Sequence, residues 1–142
     1  MKLIVKKYGG TSVATPTKIK NIAKKIVEES DSNKLVIVLS AMGKTTDNLV
    51  SLAKKCSKNP NLIDYDLLVS SGEQISISLL SMALKDLGKD SVAYTGWQAG
   101  IKTNNVHSTA RILGINANKI KQDLKMKKIV VIAGFQGVNN GS

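Results

Sequence analysis

Little in this sequence supports cross-linking, redox or metal chemistry. Its single cysteine, Cys56, can form neither an internal disulfide nor a zinc cluster. A reducing compartment, most simply the cytoplasm, is therefore expected. Its single histidine, His107, has no His, Cys or acidic pair at ligand spacing, so no metal site is expected. Aromatic residues are also scarce, with one Phe, one Trp and three Tyr, which leaves few platforms for stacking nucleic-acid bases. The longest apolar runs, Leu35–Leu39 and Ile129–Ala133, fall far short of the roughly 18–20 residues that span a bilayer. No apolar run with a cleavage site follows the first lysines, so neither a secretory leader nor a membrane partner is expected.

Acidic residues are few as well, 10 against 21 basic ones, for a net charge of +11. Such an excess suits a nucleic-acid or phosphate-rich partner. However, only Arg111 among the basic residues is arginine, the residue whose planar fork reads base edges. The lysines are spread along the chain, from Lys18, Lys20, Lys24 and Lys25 through Lys54, Lys55 and Lys58 to Lys119, Lys121, Lys125, Lys127 and Lys128. Most fall on the polar sides of predicted helices. Solvated helix faces are the preferred reading, and nucleic acid is not the expected partner.

What is present is the material of one domain. The chain has 142 residues, 42% of them hydrophobic, enough for a single packed core. Lys2–Lys7 reads as a strand. Thr15-Pro16 marks a helix start, and Ile19, Ile22, Ala23, Ile26 and Val27 give that helix an apolar stripe ending near Asp31-Ser32-Asn33. Leu35–Leu39, apolar throughout, suits a strand covered on both faces of a parallel sheet. The first forty residues thus form a strand–helix–strand unit. A helix over Asp47–Lys55 follows, with Thr46 or Asp47 as its cap, and Lys58-Asn59-Pro60-Asn61 breaks it. Leu62–Leu87 reads as a long helix, apolar around most of its circumference after Glu73 and so central and buried, which Gly88 ends. Ser91–Thr95 is a third strand, Gly96–Asn116 an irregular stretch with room for a hairpin, Ala117–Lys127 a helix with Ile120 and Leu124 inward, and Lys128–Ala133 a fourth strand.

A strand followed by a small, polar, glycine-bearing turn recurs three times, at Tyr8–Ser12, Ser40–Thr46 and Gly134–Gly137. Ligands of open α/β sheets bind beyond the carboxyl ends of the strands. Glycines let backbone N–H groups approach an anion, and helix N-termini add positive potential. Three converging turns therefore predict an anion or phosphate site at that edge.

The individual motifs differ in what they specify. Lys7-Tyr8-Gly9-Gly10-Thr11-Ser12 supplies a cation, two glycines and two hydroxyls, the parts needed to hold a transferring phosphoryl group, and equally the parts of a tight turn with a solvated lysine. Gly43-Lys44-Thr45 falls short of a Walker A loop, because the position that needs glycine is Val38, inside a strand. Ser40, Thr45 and Thr46 can donate to a carboxylate or phosphate, or simply cap the next helix. Glu73 stands in an apolar helix, and a buried charge needs a partner. That partner is either local, the Ser70-Ser71 hydroxyls, or functional, the ammonium of a bound amino acid; the functional reading is preferred. Trp97 either walls a pocket or simply packs. Cys56, with no base nearby in sequence, reads as an inert thiol.

Five segments together, Lys7–Val13, Ser40–Asp47, Ser71–Gln74, Gly96–Gly100 and Ala133–Gly137, closely resemble bacterial aspartokinase, a branch of the amino-acid-kinase superfamily, in order and spacing from residue 1 to about 137. The notable departure is Tyr8, where the family usually has Phe. The resemblance implies an α/β, three-layer sandwich with a mostly parallel central sheet. It implies ATP-dependent phosphorylation of the side-chain carboxylate of L-aspartate, the first step toward lysine, threonine and methionine, with Mg2+ accompanying the ATP. Lys7 would neutralise the transferring phosphoryl group, and Tyr8, Gly9 and Gly10 would bring backbone to the phosphates. Ser40 and Thr46 would contact aspartate, Glu73 would face its ammonium, and Phe135 would lie near the substrate. Full-length members are homo-oligomers. In the family an Arg-Gly-Gly-Ser-Asp loop, the nucleotide-binding half and regulatory domains follow the last of these turns, whereas this chain runs to Ser142. Residues 1–142 are thus expected to be the N-terminal, acceptor-binding part of the kinase domain, with weak or no activity alone and uncovered apolar faces. The alternatives are a relative acting on acetylglutamate or a nucleoside monophosphate, and a non-catalytic fragment that pairs with an intact subunit.

Overall fold

β1 (Lys2–Tyr8) starts a parallel sheet in which chain order and spatial order differ. In the computed structural model, which describes residues 1–104 and 112–134, the elements that follow are α1 (Pro16–Ser30), β2 (Asn33–Leu39), α2 (Thr45–Cys56), α3 (Leu62–Asp86), β3 (Ser91–Tyr94), β4 (Ile101–Thr103), β5 (Ile112–Ile115), α4 (Asn118–Lys125) and β6 (Ile129–Ala133). The sheet order is β1-β2-β6-β3, all parallel, and β4 and β5 form a separate antiparallel hairpin. The α/β class and the mostly parallel sheet are as expected.

Each helix forms for a readable reason. Thr15 caps α1 by accepting from the Lys18 N–H at 3.2 Å, and Pro16 occupies its first position. Ile19, Ile22, Ala23 and Ile26 then bury the predicted stripe. Asn61 caps α3, its side-chain oxygen accepting from the N–H groups of Ile63 (2.9 Å) and Asp64 (3.3 Å). α1 and α3 cover one face of the sheet, where Ile26, Leu35, Ile37, Leu39, Leu80, Leu84 and Val131 form the main core. Each such side chain contributes about 1.5–3 kcal/mol on burial. α4 covers the other face at β6 and β3, with Val36, Tyr94, Ala99, Leu124, Val130 and Ile132. The layers are thus helices, sheet, helix.

Two expectations need correction. α2 begins earlier than expected, with Lys44 at its cap position and no side-chain cap bond, because the Thr45 N–H already bonds Met42 O at 2.9 Å and starts the turn. α3 is not buried all round. Gly72, Glu73, Ser76, Ile77, Leu80, Ser81 and Leu84 face inward, while Leu67, Ile75 and Met82 are exposed. α3 is long and apolar enough by length and composition to cross a bilayer, although its inward face packs on the sheet. β1 is an edge strand of this sheet, and Leu3 (58% exposed) and Val5 (64%) stand uncovered on the α4 side.

Candidate functional site

Strand register sets the site. Tyr8 pairs with Leu39 and Leu39 with Ala133, so β1, β2 and β6 end at one level. The ends of the three strands therefore lie side by side, and backbone bonds join the described residues that follow them. The Ser40 N–H donates to Tyr8 O at 3.2 Å, Gly43 N–H to Gly10 O at 2.8 Å, and Gly134 N–H to Leu39 O at 2.9 Å. Gly10 is required by this contact, since a β-carbon there would lie 2.9 Å from Ala41 O. The convergence anticipated from the sequence is present for the described part of each turn.

The expected site residues enter from different directions. Lys7 is exposed at the end of β1 and pairs with Val38, which pairs with Ile132, so it shares the α4 side of the pleat. Lys6, on the opposite side, is held by Glu29 at 2.5 Å, and this hydrogen bond raises its pKa above the ordinary lysine value. Tyr8 packs against the main core through its ring. Gly9 has open space where a side chain would stand, so its backbone is approachable. Ser40 is fixed through its backbone, its carbonyl accepting from Ser76 Oγ at 2.7 Å. Thr46 is exposed in the first turn of α2, while the preceding Thr45 turns its methyl toward Gly72. Phe135, His107 and Arg111 lie outside the described residues.

Glu73 comes from the α3 side and is 6% exposed. Its Oε1 lies 3.6 Å from the point where a β-carbon on Gly134 would sit, at the end of β6. Lys7 and Glu73 thus meet the same sheet edge from its two faces, a cation on one and a carboxylate on the other. Two features were missed in the sequence. Ser76, fully buried one turn beyond Glu73, ties α3 to the Ser40 turn; its i+3 spacing from Glu73 was the available signal. The buried hydrogen bond from Tyr94 to Asp123, with Lys119 Nζ 4.5 Å above the Tyr94 ring, joins β3 to α4 beside the edge; nothing local in the sequence signals it. Trp97 is 63% exposed, and Cys56 is a free, exposed thiol.

The donor set suits the phosphate end of a nucleotide, with a lysine at a strand end and an open glycine backbone. Among the described residues no group of three or more His, Cys, Asp or Glu gathers, so a Mg2+ ion here would be held mainly through phosphate oxygens.

Comparison with known proteins agrees with this architecture. Residues 2–142 match the model of the amino acid kinase family. The chain is 52% identical over 140 residues to an aspartokinase of Bacillus sp. (strain MGA3), covering 98% of this chain and 34% of that protein. The crystal structure of aspartate kinase from Synechocystis superposes with a TM-score of 0.80 at 42% identity, over 95% of this chain and 22% of that one. Escherichia coli aspartokinase III in complex with aspartate and ADP shares the fold, with a TM-score of 0.81 at 21% identity over 99% of this chain and 42% of that one. The chain spans about a third of the length of the curated relatives it matches.

Proposed function

The chain belongs to the amino acid kinase family, and from that premise we propose that it is the acceptor-binding part of an aspartate kinase, which transfers the γ-phosphoryl group of ATP to the side-chain carboxylate of L-aspartate. The observation that carries the reading is the meeting of Lys7 and Glu73 at one sheet edge from opposite faces. A dipolar acceptor placed there has its α-ammonium toward Glu73 and its reacting carboxylate toward Lys7. Ser40 and Thr46, on the turn between, orient the carboxylates. The open backbone at Gly9, with Tyr8 and Gly10, receives the phosphates. A carboxylate is already nucleophilic, so the chemistry needs positioning and charge neutralisation rather than a strong base. ATP with Mg2+ supplies the phosphoryl group, and Lys7 stabilises the charge that spreads over it. Phe135, a role in lysine biosynthesis, a cytoplasmic location and an oligomeric whole enzyme belong to the same proposal.

Calorimetry tests the acceptor. L-Aspartate is expected to bind in the millimolar range or tighter, while N-acetylglutamate and UMP give no heat. Absence of aspartate binding, or equal binding of the three, would overturn the assignment.

A further inference from the structure

The side of α3 turned away from the sheet differs from the rest of the surface. Between Leu67 and Leu84 the only charged residue is Glu73, which is buried, although 22% of the whole chain is charged. The outward face over this span is therefore uncharged, and on it Leu67 (71% exposed), Ile75 (51%) and Met82 (61%) stand in solvent. Apolar patches depleted of charge are what the centres of protein interfaces are made of. The serines between them can be buried at little cost. Ser71 Oγ donates to Leu68 O at 2.6 Å and Ser78 Oγ to Gln74 O at 2.7 Å, so neither hydroxyl depends on water.

The order of residues along this face identifies what covers it. About a midpoint between Gln74 and Ile75, the face is complementary to its own reverse. Ser71 and Ser78 are equidistant from that point, as are Leu67 and Met82, and Asp64 and Lys85. An antiparallel second α3 sets serine against serine, large apolar against large apolar, and acid against base at both ends, over a length of about 32 Å. A two-fold interface requires this pattern, in which residue i meets j and j meets i. Beside the C-terminal half of the face, a groove of about 480 Å³ between α1 and α3 is lined by Lys20, Lys24 and Asp86. With Lys85, that end carries three lysines to one aspartate, and so suits the acidic end of a partner helix. A parallel arrangement would set like charges together.

We infer that the outward face of α3 is a two-fold interface with a second copy of this chain, its axis passing between Gln74 and Ile75. The inference is independent of the acceptor site, because Glu73 and Ser76 lie on the inward side of the same helix.

Sedimentation equilibrium on the 142-residue chain tests it. A dimer is expected, with Kd in roughly the micromolar range. Ile75→Lys brings two lysines together near the axis and weakens the dimer at least about 100-fold, with the far-ultraviolet circular dichroism unchanged. Asp64→Lys weakens it about tenfold, and adding Lys85→Asp restores it to within about threefold of the native chain, a recovery that the antiparallel pairing alone provides. A monomeric native chain, a dimer indifferent to Ile75→Lys, or no recovery in the double variant overturns the inference. A chain that stays monomeric but binds vesicles of anionic phospholipid through this face assigns it to a lipid surface, and overturns the inference as well. None of these results bears on aspartate binding, so the acceptor site stands or falls separately.

Discussion

Tyr94 donates a hydrogen bond of 2.5 Å to Asp123 across the interface between β3 and α4, and both residues are buried. Lys128 stands 3.9 Å from the other carboxylate oxygen, and Lys119 lies over the phenol ring. This is the polar centre of an otherwise apolar contact, and it holds α4 on the sheet beside the strand ends.

The first prediction concerns alkaline pH. Burial, and then the hydrogen bond and charge of Asp123, push the Tyr94 pKa up to about 12 from 10.0. The folded state therefore keeps its proton where the unfolded state loses it. The stabilisation is complete below about pH 10 and is lost as pH rises through about 12. Denaturant titrations at several pH values should show stability falling across this window in the native chain. The fall should be shallower in Tyr94→Phe, which lacks the phenol. At neutral pH the same variant should be less stable by about 1–3 kcal/mol, because Asp123 loses a buried donor.

A second prediction comes from two helix ends built alike from different residues. After α3, Gly88 takes φ +83 while its N–H bonds Lys85 O and the N–H of Lys89 bonds Leu84 O. After α4, Lys127 takes φ +60, with its N–H on Leu124 O and the N–H of Lys128 on Asp123 O. Both are the same terminal motif, and only one uses the residue suited to it. Lys127→Gly should stabilise the fold by about 0.5–1 kcal/mol, and Gly88→Ala should destabilise it by about 1 kcal/mol, both read by urea denaturation.

Gly72 supplies a third. Glycine inside a helix costs about 1 kcal/mol relative to alanine, so its presence in α3 calls for a reason. Ala41, Thr45 and Leu49 provide one, since a β-carbon there would press on all three at 3.1–3.3 Å. Gly72→Val should destabilise the protein by about 2 kcal/mol or more in thermal or chemical denaturation, through overpacking at the α2–α3 contact. A neutral outcome would show that α2 yields there.

The parts of this fold legible in the sequence were those set by local pattern. The α1 stripe, the capping Thr15, the all-apolar β2 run and the stop at Gly88 each follow from neighbouring residues. So did the shared level of the three strand ends, because a parallel sheet must bring them to one edge. What the sequence hid depends on partners far along the chain. The exposed side of α3 was read as buried because Ile75 and Met82 are apolar, and only the position of α1 and the sheet decides which side is covered. The start of α2 was misplaced because it is set by the backbone bond from Thr45 N–H to Met42 O, with no capping side chain to mark it in the sequence. The approach of Gly134 to Glu73 likewise joins residues 61 positions apart, and no periodicity carries such a pair.

Lys6 and Lys7 make the sharpest test of the proposed chemistry, because they are adjacent and chemically identical. The pleat sends them to opposite faces, Lys6 to Glu29 on α1 and Lys7 to the side shared with Val38 and Ile132. The Lys6 ion pair is partly solvent-exposed, and such pairs contribute little. Lys7 is the proposed counter-charge to the phosphoryl group, where removal of one stabilising group costs about 100- to 1,000-fold in kcat. The comparison belongs in a chimera in which this chain replaces the matching segment of a full-length relative, assayed with ATP and aspartate. Lys7→Met should lower kcat by that range with the melting temperature unchanged, while Lys6→Met should leave kcat within about threefold. Equal losses in the two variants would mean that the lysines act only through the fold of β1, and the proposed role of Lys7 would fall.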